Sequence, residues 1–310
     1  MPPSLYTMKK SLLDLIGNTP LLQIPCKLSG RVSLYAKLEF YNPGGSVKDR
    51  PVKWMLDDAI KKNEIRGRTL IDATSGNTGI AYAMLGAALG IPVELALPEN
   101  ASEERKLILH NYGAKIHFTS SMQGTDGAQQ YVIDLVNRRP DLYYYPDQYN
   151  NVNNWKSHYE STGPEIWSQT NEKVTHFVSG MGTSGTFVGT SRFLKPKGVV
   201  CCSVQPDNPL HGLEGWKHME TARVPGIYDP TIADRVIEVD TEDAFRCAIA
   251  AARYLGLLIS PSAAANLFAA SRLAKSLESG CVVTVLPDNG MKYLTDSFWK
   301  NNDYIIPNPF

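Results

Sequence analysis

Three times along this chain a short apolar run gives way, through a polar turn rich in glycine and hydroxyl groups, to a stretch with helical spacing. The first junction leads from 34–40 through Asn42-Pro43-Gly44-Gly45-Ser46-Val47-Lys48-Asp49-Arg50 into a helix over 51–62. The second leads from 69–73 through Thr74-Ser75-Gly76-Asn77-Thr78-Gly79 into a helix ending at Gly90. The third leads from 175–179 through Gly180-Met181-Gly182-Thr183-Ser184-Gly185-Thr186 into a helix over 185–194. Strands separated by helices build parallel sheets covered on both faces. Ligands of such sheets bind beyond the carboxyl ends of the strands, where helix N-termini present free amides. All three junctions have that address.

The remaining pattern extends the alternation. Strands are expected at 93–97, 114–119, 199–205, 236–239 and 282–286, and helices over 125–138, 158–169, 241–255 and 262–277. Asn100-Ala101-Ser102-Glu103 has the spacing of a capping box for a helix ending at Gly113. The tyrosine-rich 143–146 and the polar 147–154 mark a composition shift and a candidate domain crossing, and 206–230 is long and irregular. At 310 residues the chain calls for two domains or one large α/β domain.

Thirty-one basic and thirty-one acidic residues cancel, and no run of like charge suits nucleic acid or an anionic membrane, so a small-molecule partner is expected. Residues 73–93 carry no charge and could span a bilayer. Asn77, four glycines and Pro92 make them read instead as a loop, a buried helix and a strand. The N-terminus lacks the apolar core of a signal peptide. Five cysteines without C-x-x-C spacing suit buried thiols in a reducing compartment, and none of the six histidines has metal-ligand spacing, so no metal is expected and all six read as structural or surface residues.

The chemistry lies in the three junctions. A Pro-Gly-Gly turn lets backbone approach a ligand, and Ser46 as helix cap would put Lys48 in the first helical turn. There the positive end of the dipole lowers a lysine pKa, which suits Schiff-base chemistry; a solvated first-turn lysine is the competing reading. The 74–79 loop offers hydroxyls, a carboxamide and glycines at a helix start, a seat for a carboxylate or a phenolic oxygen, or an ordinary helix cap. The 180–186 loop reads G-x-G-x-x-G, with Asp207 about 22 residues further on, as a dinucleotide site would. Yet that fingerprint usually opens the first βαβ unit, and hydroxyls at Thr183, Ser184 and Thr186 suit a phosphate monoester better. A Schiff-base lysine, a polar loop and a phosphate cup together describe a site for pyridoxal 5'-phosphate.

At this point a family resemblance is plain. IGNTPL (16–21), NPGGSVKDR (42–50), TSGNTG (74–79), TGPEI (162–166), GMGTSGT (180–186) and PDNGMKYL (287–294), in that order over nearly the whole chain, resemble the signatures of the cysteine synthase and cystathionine β-synthase family of fold-type-II, tryptophan-synthase-β-like pyridoxal enzymes. The resemblance implies two three-layer α/β domains with mostly parallel twisted sheets: a smaller mobile one over 41–150, and a larger cofactor-binding one made of 1–40 and 151–310. It implies that Lys48 binds the cofactor covalently and acts as the catalytic base, that Asn77 bonds its phenolic oxygen, that Gly182, Thr183, Ser184, Gly185 and Thr186 hold its phosphate, and that Ser262 faces its pyridine nitrogen. Thr74, Ser75, Thr78 and Gln148 match the family's clamp on the substrate α-carboxylate. Two departures stand out: Ser262-Ala263-Ala264 where the family usually has Ser-Ser-Gly, and Ser184 in place of a glycine.

The implied reaction is β-replacement on an activated serine by a sulfur nucleophile to give L-cysteine, in a cytoplasmic homodimer, with a serine acetyltransferase or a sulfur-carrier protein as a conceivable partner. Family members that accept O-phosphoserine place an arginine in the segment after 205, and the Met219 and Val224-Pro225 neighbourhoods align Lys217 with it. O-phosphoserine is therefore the expected substrate, with O-acetylserine as runner-up. Competing outcomes are cystathionine β-synthase chemistry on serine and homocysteine, diaminopropionate formation with an amine, and a non-catalytic scaffold that binds an acyltransferase.

Overall fold

A computed structural model describes residues 10–74, 76–300 and 308–310. In chain order the strands and helices are β1 (Leu21–Gln23), β2 (Val32–Leu38), α1 (Asp49–Lys61), β3 (Thr69–Ala73), α2 (Asn77–Leu89), β4 (Val93–Pro98), α3 (Glu103–Asn111), β5 (Lys115–Thr119), α4 (Gly124–Arg138) and β6 (Tyr143–Tyr144). They continue with α5 (Val152–Ser157), α6 (Gly163–Gln169), β7 (His176–Gly180), α7 (Gly185–Leu194), β8 (Val200–Pro206), β9 (Arg235–Val239), α8 (Thr241–Leu255), α9 (Pro261–Lys275), β10 (Gly280–Leu286) and α10 (Ser297–Lys300).

These strands form two sheets. One has the order β1-β2-β10-β7-β8-β9 and is parallel except for the β1–β2 pair; the other, β5-β4-β3-β6, is parallel throughout. Because successive strand residues point to opposite faces, both faces of each sheet must be covered. In the larger sheet Val178, Cys202 and Val282 face a core shared with α8 and α9, while their neighbours Phe177, Cys201 and Val283 face one shared with α6 and α7. In the smaller sheet Leu70 and Leu95 pack with α1 and α2, and Ile71 and Ala96 with α4. Leu12, Leu13 and Ile16 of the N-terminal arm also pack on the α1–α2 core. Cys201, Cys202, Cys247 and Cys281 are free and buried.

The uncharged 73–93 stretch is a loop, α2 and the start of β4, with α2 ending at Gly90 in the left-handed conformation. A helix apolar on all sides is buried on all sides. No helix among the described residues is long and apolar enough to cross a membrane.

The structure corrects several local expectations. The helix expected over 158–169 starts six residues earlier, at Val152 of α5, and passes through a π-helical turn at His158–Thr162 into α6, so the TGPEI motif lies at a wide turn within helical backbone. The cap of α3 is Ser102, which accepts from the Arg105 amide at 3.4 Å, rather than Asn100. Tyr143 and Tyr144 are the edge strand of the smaller sheet, paired with Thr69 and Leu70, because their aromatic side chains suit a half-buried pleated surface.

Candidate functional site

A cavity of about 280 Å³ opens where both sheets end, and all three glycine-bearing junctions reach it. Lys48 is the N-cap of α1, one position before the expected first turn; its amide donates to Ser46 Oγ at 3.2 Å. The Val47 amide donates to the Pro287 carbonyl at 2.8 Å, and Ser46 bridges Asp288, so the lysine loop is stitched to the end of β10. Burial holds the Lys48 ammonium below the usual lysine pKa, and the nearby Asp288 carboxylate opposes this. Burial is therefore the main cause of the depression, where the sequence had suggested the helix dipole.

The rest of the lysine motif has a structural task. Buried Arg50 donates to Glu39 at 2.7 and 2.8 Å and to Glu165 of the TGPEI motif at 2.6 and 2.7 Å; Lys37 joins Glu165 at 2.6 Å. Thr19 Oγ1 donates to Glu39 at 2.7 Å, and the Gly17 amide to Asn42 Oδ1 at 2.8 Å. Burial alone would raise the Glu39 carboxyl; Arg50 overrides it and takes it down to about 2. Removing one partner of such a network leaves an uncompensated buried charge, at about 3–5 kcal/mol. IGNTPL, NPGGSVKDR and TGPEI thus converge on one ionic knot that anchors Lys48 from behind.

The second junction places Asn77 first in α2, with its amide Nδ2 donating to Asp288 Oδ2 at 2.8 Å and Lys292 donating to its Oδ1. Tyr293 also donates to Asp288 Oδ2, at 2.8 Å, while Asp288 Oδ1 is buried without a hydrogen-bond partner among the described residues. Thr78 donates to Gln148 Oε1 at 2.9 Å, and Thr74 Oγ1 accepts from the Gly76 amide at 3.3 Å. Thr74, Thr78 and Gln148 thus share one wall of the cavity; Ser75 lies outside the described residues.

The third junction is a cup at the N-terminus of α7. A Cβ on Gly182 would come within 2.0 Å of the Gly215 carbonyl oxygen, so only glycine fits there, and one on Gly185 would come within 2.0 Å of Asn154 Oδ1 and displace that side chain. Ser184 has φ of 70°, the left-handed region that favours glycine, which accounts for the family's glycine at this position. Its buried Oγ has no hydrogen-bond partner among the described residues. Asn154 donates to Thr183 Oγ1 at 3.1 Å, and His158 Nε2 lies 3.3 Å from Thr186 Oγ1. Burial takes the His158 pKa down to about 3, so its ring is neutral and steers a hydroxyl without adding charge.

Ser262, buried in the first turn of α9, has its hydroxyl 3.2 Å from that of the capping Ser260. Asn266, one turn on, accepts from the Gly180 amide at 2.7 Å and donates to the Val285 carbonyl at 2.9 Å, fixing β7 beside β10. Lys217 is half-buried at the cavity rim; its amide donates to the Met181 carbonyl at 3.0 Å, and its ammonium lies 5.2 Å from the Tyr149 ring centre. Burial holds the Lys217 pKa down, with Asp126 opposing.

The fold thus gathers Lys48, Thr74, Asn77, Thr78, Gln148, the 182–186 loop, Lys217 and Ser262 around one cavity. The sequence reading gave no role to Asn154, His158, Asn266, Asp288 or Lys292. Asp288 and Lys292 did carry a signal, opposite charges four apart directly after a strand. An unsatisfied hydroxyl and close-packed glycines at a helix N-terminus, and a buried lysine on the same cavity as a carboxamide, fit the phosphate, the aldehyde and the ring oxygen of pyridoxal phosphate.

A family described as pyridoxal-phosphate dependent enzyme matches residues 12–288. The chain is 50% identical over 306 residues to a cysteine synthase of Aquifex aeolicus, covering 95% of this chain and 94% of that one. It is 38% identical over 286 residues to cysteine synthase B of Escherichia coli, covering 90% and 93%. A crystal structure of cysteine synthase from Entamoeba histolytica superposes with a TM-score of 0.91 at 31% identity, over 97% of this chain and 93% of that one.

Proposed function

This chain belongs to the pyridoxal-phosphate-dependent enzymes, in the branch that holds the cysteine synthases, and we propose that it replaces the β-substituent of an O-activated L-serine with sulfur to give L-cysteine. The observation that supports this reading is the convergence of buried Lys48, the hydroxyl- and glycine-rich N-terminus of α7 and the 74–78 loop on one cavity.

Pyridoxal phosphate, when bound, supplies an aldehyde that captures an amine and a conjugated ring that stabilises negative charge at Cα. In our reading Lys48, Asn77, Ser262 and the 182–186 loop hold it. Thr74, Thr78 and Gln148 bind the substrate α-carboxylate. Lys48 Nζ takes the α-proton, since burial favours its neutral form and Asp288 supplies a compensating charge once it is protonated. Residues 41–150 are the part that closes over the substrate, and a cytoplasmic homodimer is the setting. Lys217 supports O-phosphoserine as the donor: it lines the cavity, its ammonium lies over the Tyr149 ring and forms no ion pair among the described residues, and it can meet a dianionic phosphate as a point charge.

The test is cysteine formation from sulfide with O-phosphoserine, O-acetylserine and serine in parallel, together with borohydride reduction and peptide mass mapping. The reading requires turnover of O-phosphoserine and a label on Lys48. Label on another lysine, or turnover of serine alone, would reject it, and turnover of O-acetylserine without O-phosphoserine would overturn the choice of donor.

A further inference from the structure

The irregular chain between β8 and β9 crosses the mouth of the cavity at Glu214-Gly215-Trp216-Lys217. Its inner edge rests on the phosphate loop: Lys217 bonds Met181, the Gly215 carbonyl abuts Gly182, and a Cβ on Gly180 would meet the Trp216 ring at 1.9 Å. Its outer edge is gripped from the smaller sheet's side. Arg105 on α3 presents both terminal nitrogens to both carboxylate oxygens of Glu214, Nη2 to Oε2 at 2.8 Å. The guanidinium is nearly buried, with 6% of its side chain exposed, and its Cζ lies 5.0 Å from the Tyr293 ring centre. Tyr293 in turn holds Asp288, which holds Asn77. Arg105 therefore touches both the segment that carries Lys217 and the chain of contacts behind Asn77.

We propose that Arg105 is a positioning residue: through Glu214 it clamps segment 214–217 across the cavity and so sets the affinity for the activated serine. The inference rests on the reading above only in taking that segment to face the substrate. Exposed ion pairs contribute little, but a planar fork on a carboxylate, with its cation desolvated against an aromatic ring, fixes geometry as well as charge. The segment has no helix or strand of its own, so ordering it before binding removes an entropic cost from binding. Loosening the clamp lowers the competent fraction and raises the apparent dissociation constant in proportion.

The experiment uses the cofactor-loaded enzyme and the variants Glu214→Gln, Arg105→Gln, Arg105→Lys and the exchange Arg105→Glu/Glu214→Arg. KM and kcat for the activated serine are measured alongside native trypsin cleavage after Lys217, read by mass spectrometry. Each of the three single variants is expected to raise KM roughly tenfold with kcat within about threefold, and to speed cleavage after Lys217. Arg105→Lys should resemble Arg105→Gln because it lacks the fork. The exchange should move both readouts back toward wild type. Glu214→Gln removes the counter-charge of Arg105 but keeps the side chain's shape and one acceptor at a half-exposed position, so its variant decides the matter even if changes at Arg105 impair folding, with Tm measured beside it to separate lost stability from a loosened segment. Wild-type KM and cleavage in Glu214→Gln, or impaired single variants that the exchange does not improve, would overturn the proposal. If no activated serine is turned over by the wild type, the functional reading fails by itself. Cleavage after Lys217 then decides the clamp: faster in Glu214→Gln sustains it, unchanged overturns it.

Discussion

Lys292 donates to the carboxamide oxygen of Asn77, and because an ammonium has no acceptor this assigns the orientation of the amide: Nδ2 faces Asp288 at 2.8 Å, with its second proton left for a ligand oxygen. Burial lowers the Lys292 pKa, and the Asp288 carboxylate, 3.8 Å away, counters it. Lys292→Met should let the amide turn over and weaken pyridoxal phosphate binding roughly tenfold or more, since one charge-assisted bond contributes about 1.5–3 kcal/mol. Lys292→Arg should keep most of the affinity. Equilibrium dialysis of the cofactor measures both, and wild-type affinity in the methionine variant would refute the role.

The cup at 182–186 predicts selectivity for a phosphate monoester. Thr183→Ala/Thr186→Ala should weaken pyridoxal phosphate by roughly a hundredfold, while unphosphorylated pyridoxal binds as before. NAD should bind neither protein. Tight NAD binding by the wild type, with pyridoxal phosphate unaffected in the double variant, would restore the dinucleotide reading.

Lys217→Ala should lower kcat/KM for O-phosphoserine by roughly a hundredfold, and for O-acetylserine by no more than about threefold. Steady-state assays with both donors compare the losses directly. An equal loss with both would show that Lys217 shapes the rim without reading the leaving group.

Asp72 is buried on β3, and burial pushes its carboxyl up to about 7, against an ordinary 3.8. Below the ordinary value both folded and unfolded chains are protonated. As pH rises toward 7 the unfolded chain releases the proton first, so this group's contribution to stability is lost as the pH climbs. Asp72→Asn should therefore melt like wild type near pH 4 and be more stable at pH 8, by on the order of 2–4 kcal/mol. His158, with a pKa of about 3, has the opposite slope between about 3 and 6.5, but it is present in both proteins and cancels in the comparison. A pH-independent difference in Tm between the two would contradict this account of Asp72.

The sequence by itself determined the local part of the site. A glycine turn before a helix, hydroxyls at a helix start and apolar runs of strand length are properties of a few consecutive residues, and each formed where its pattern lay. Lys48, Asn77 and the 182–186 loop were legible for that reason. Tertiary structure alone decided what stands behind them. Glu39, Arg50 and Glu165 form one ionic knot although 126 residues separate the outer two, and Arg105 meets Glu214 across 109 positions. In sequence each of these is an ordinary charged residue. Burial and partnership give it a role, and both depend on how two sheets and their helices pack, which no local pattern encodes. The same holds for Lys48: its low pKa comes mainly from the desolvation that folding imposes, a quantity with no value until the chain has closed around it.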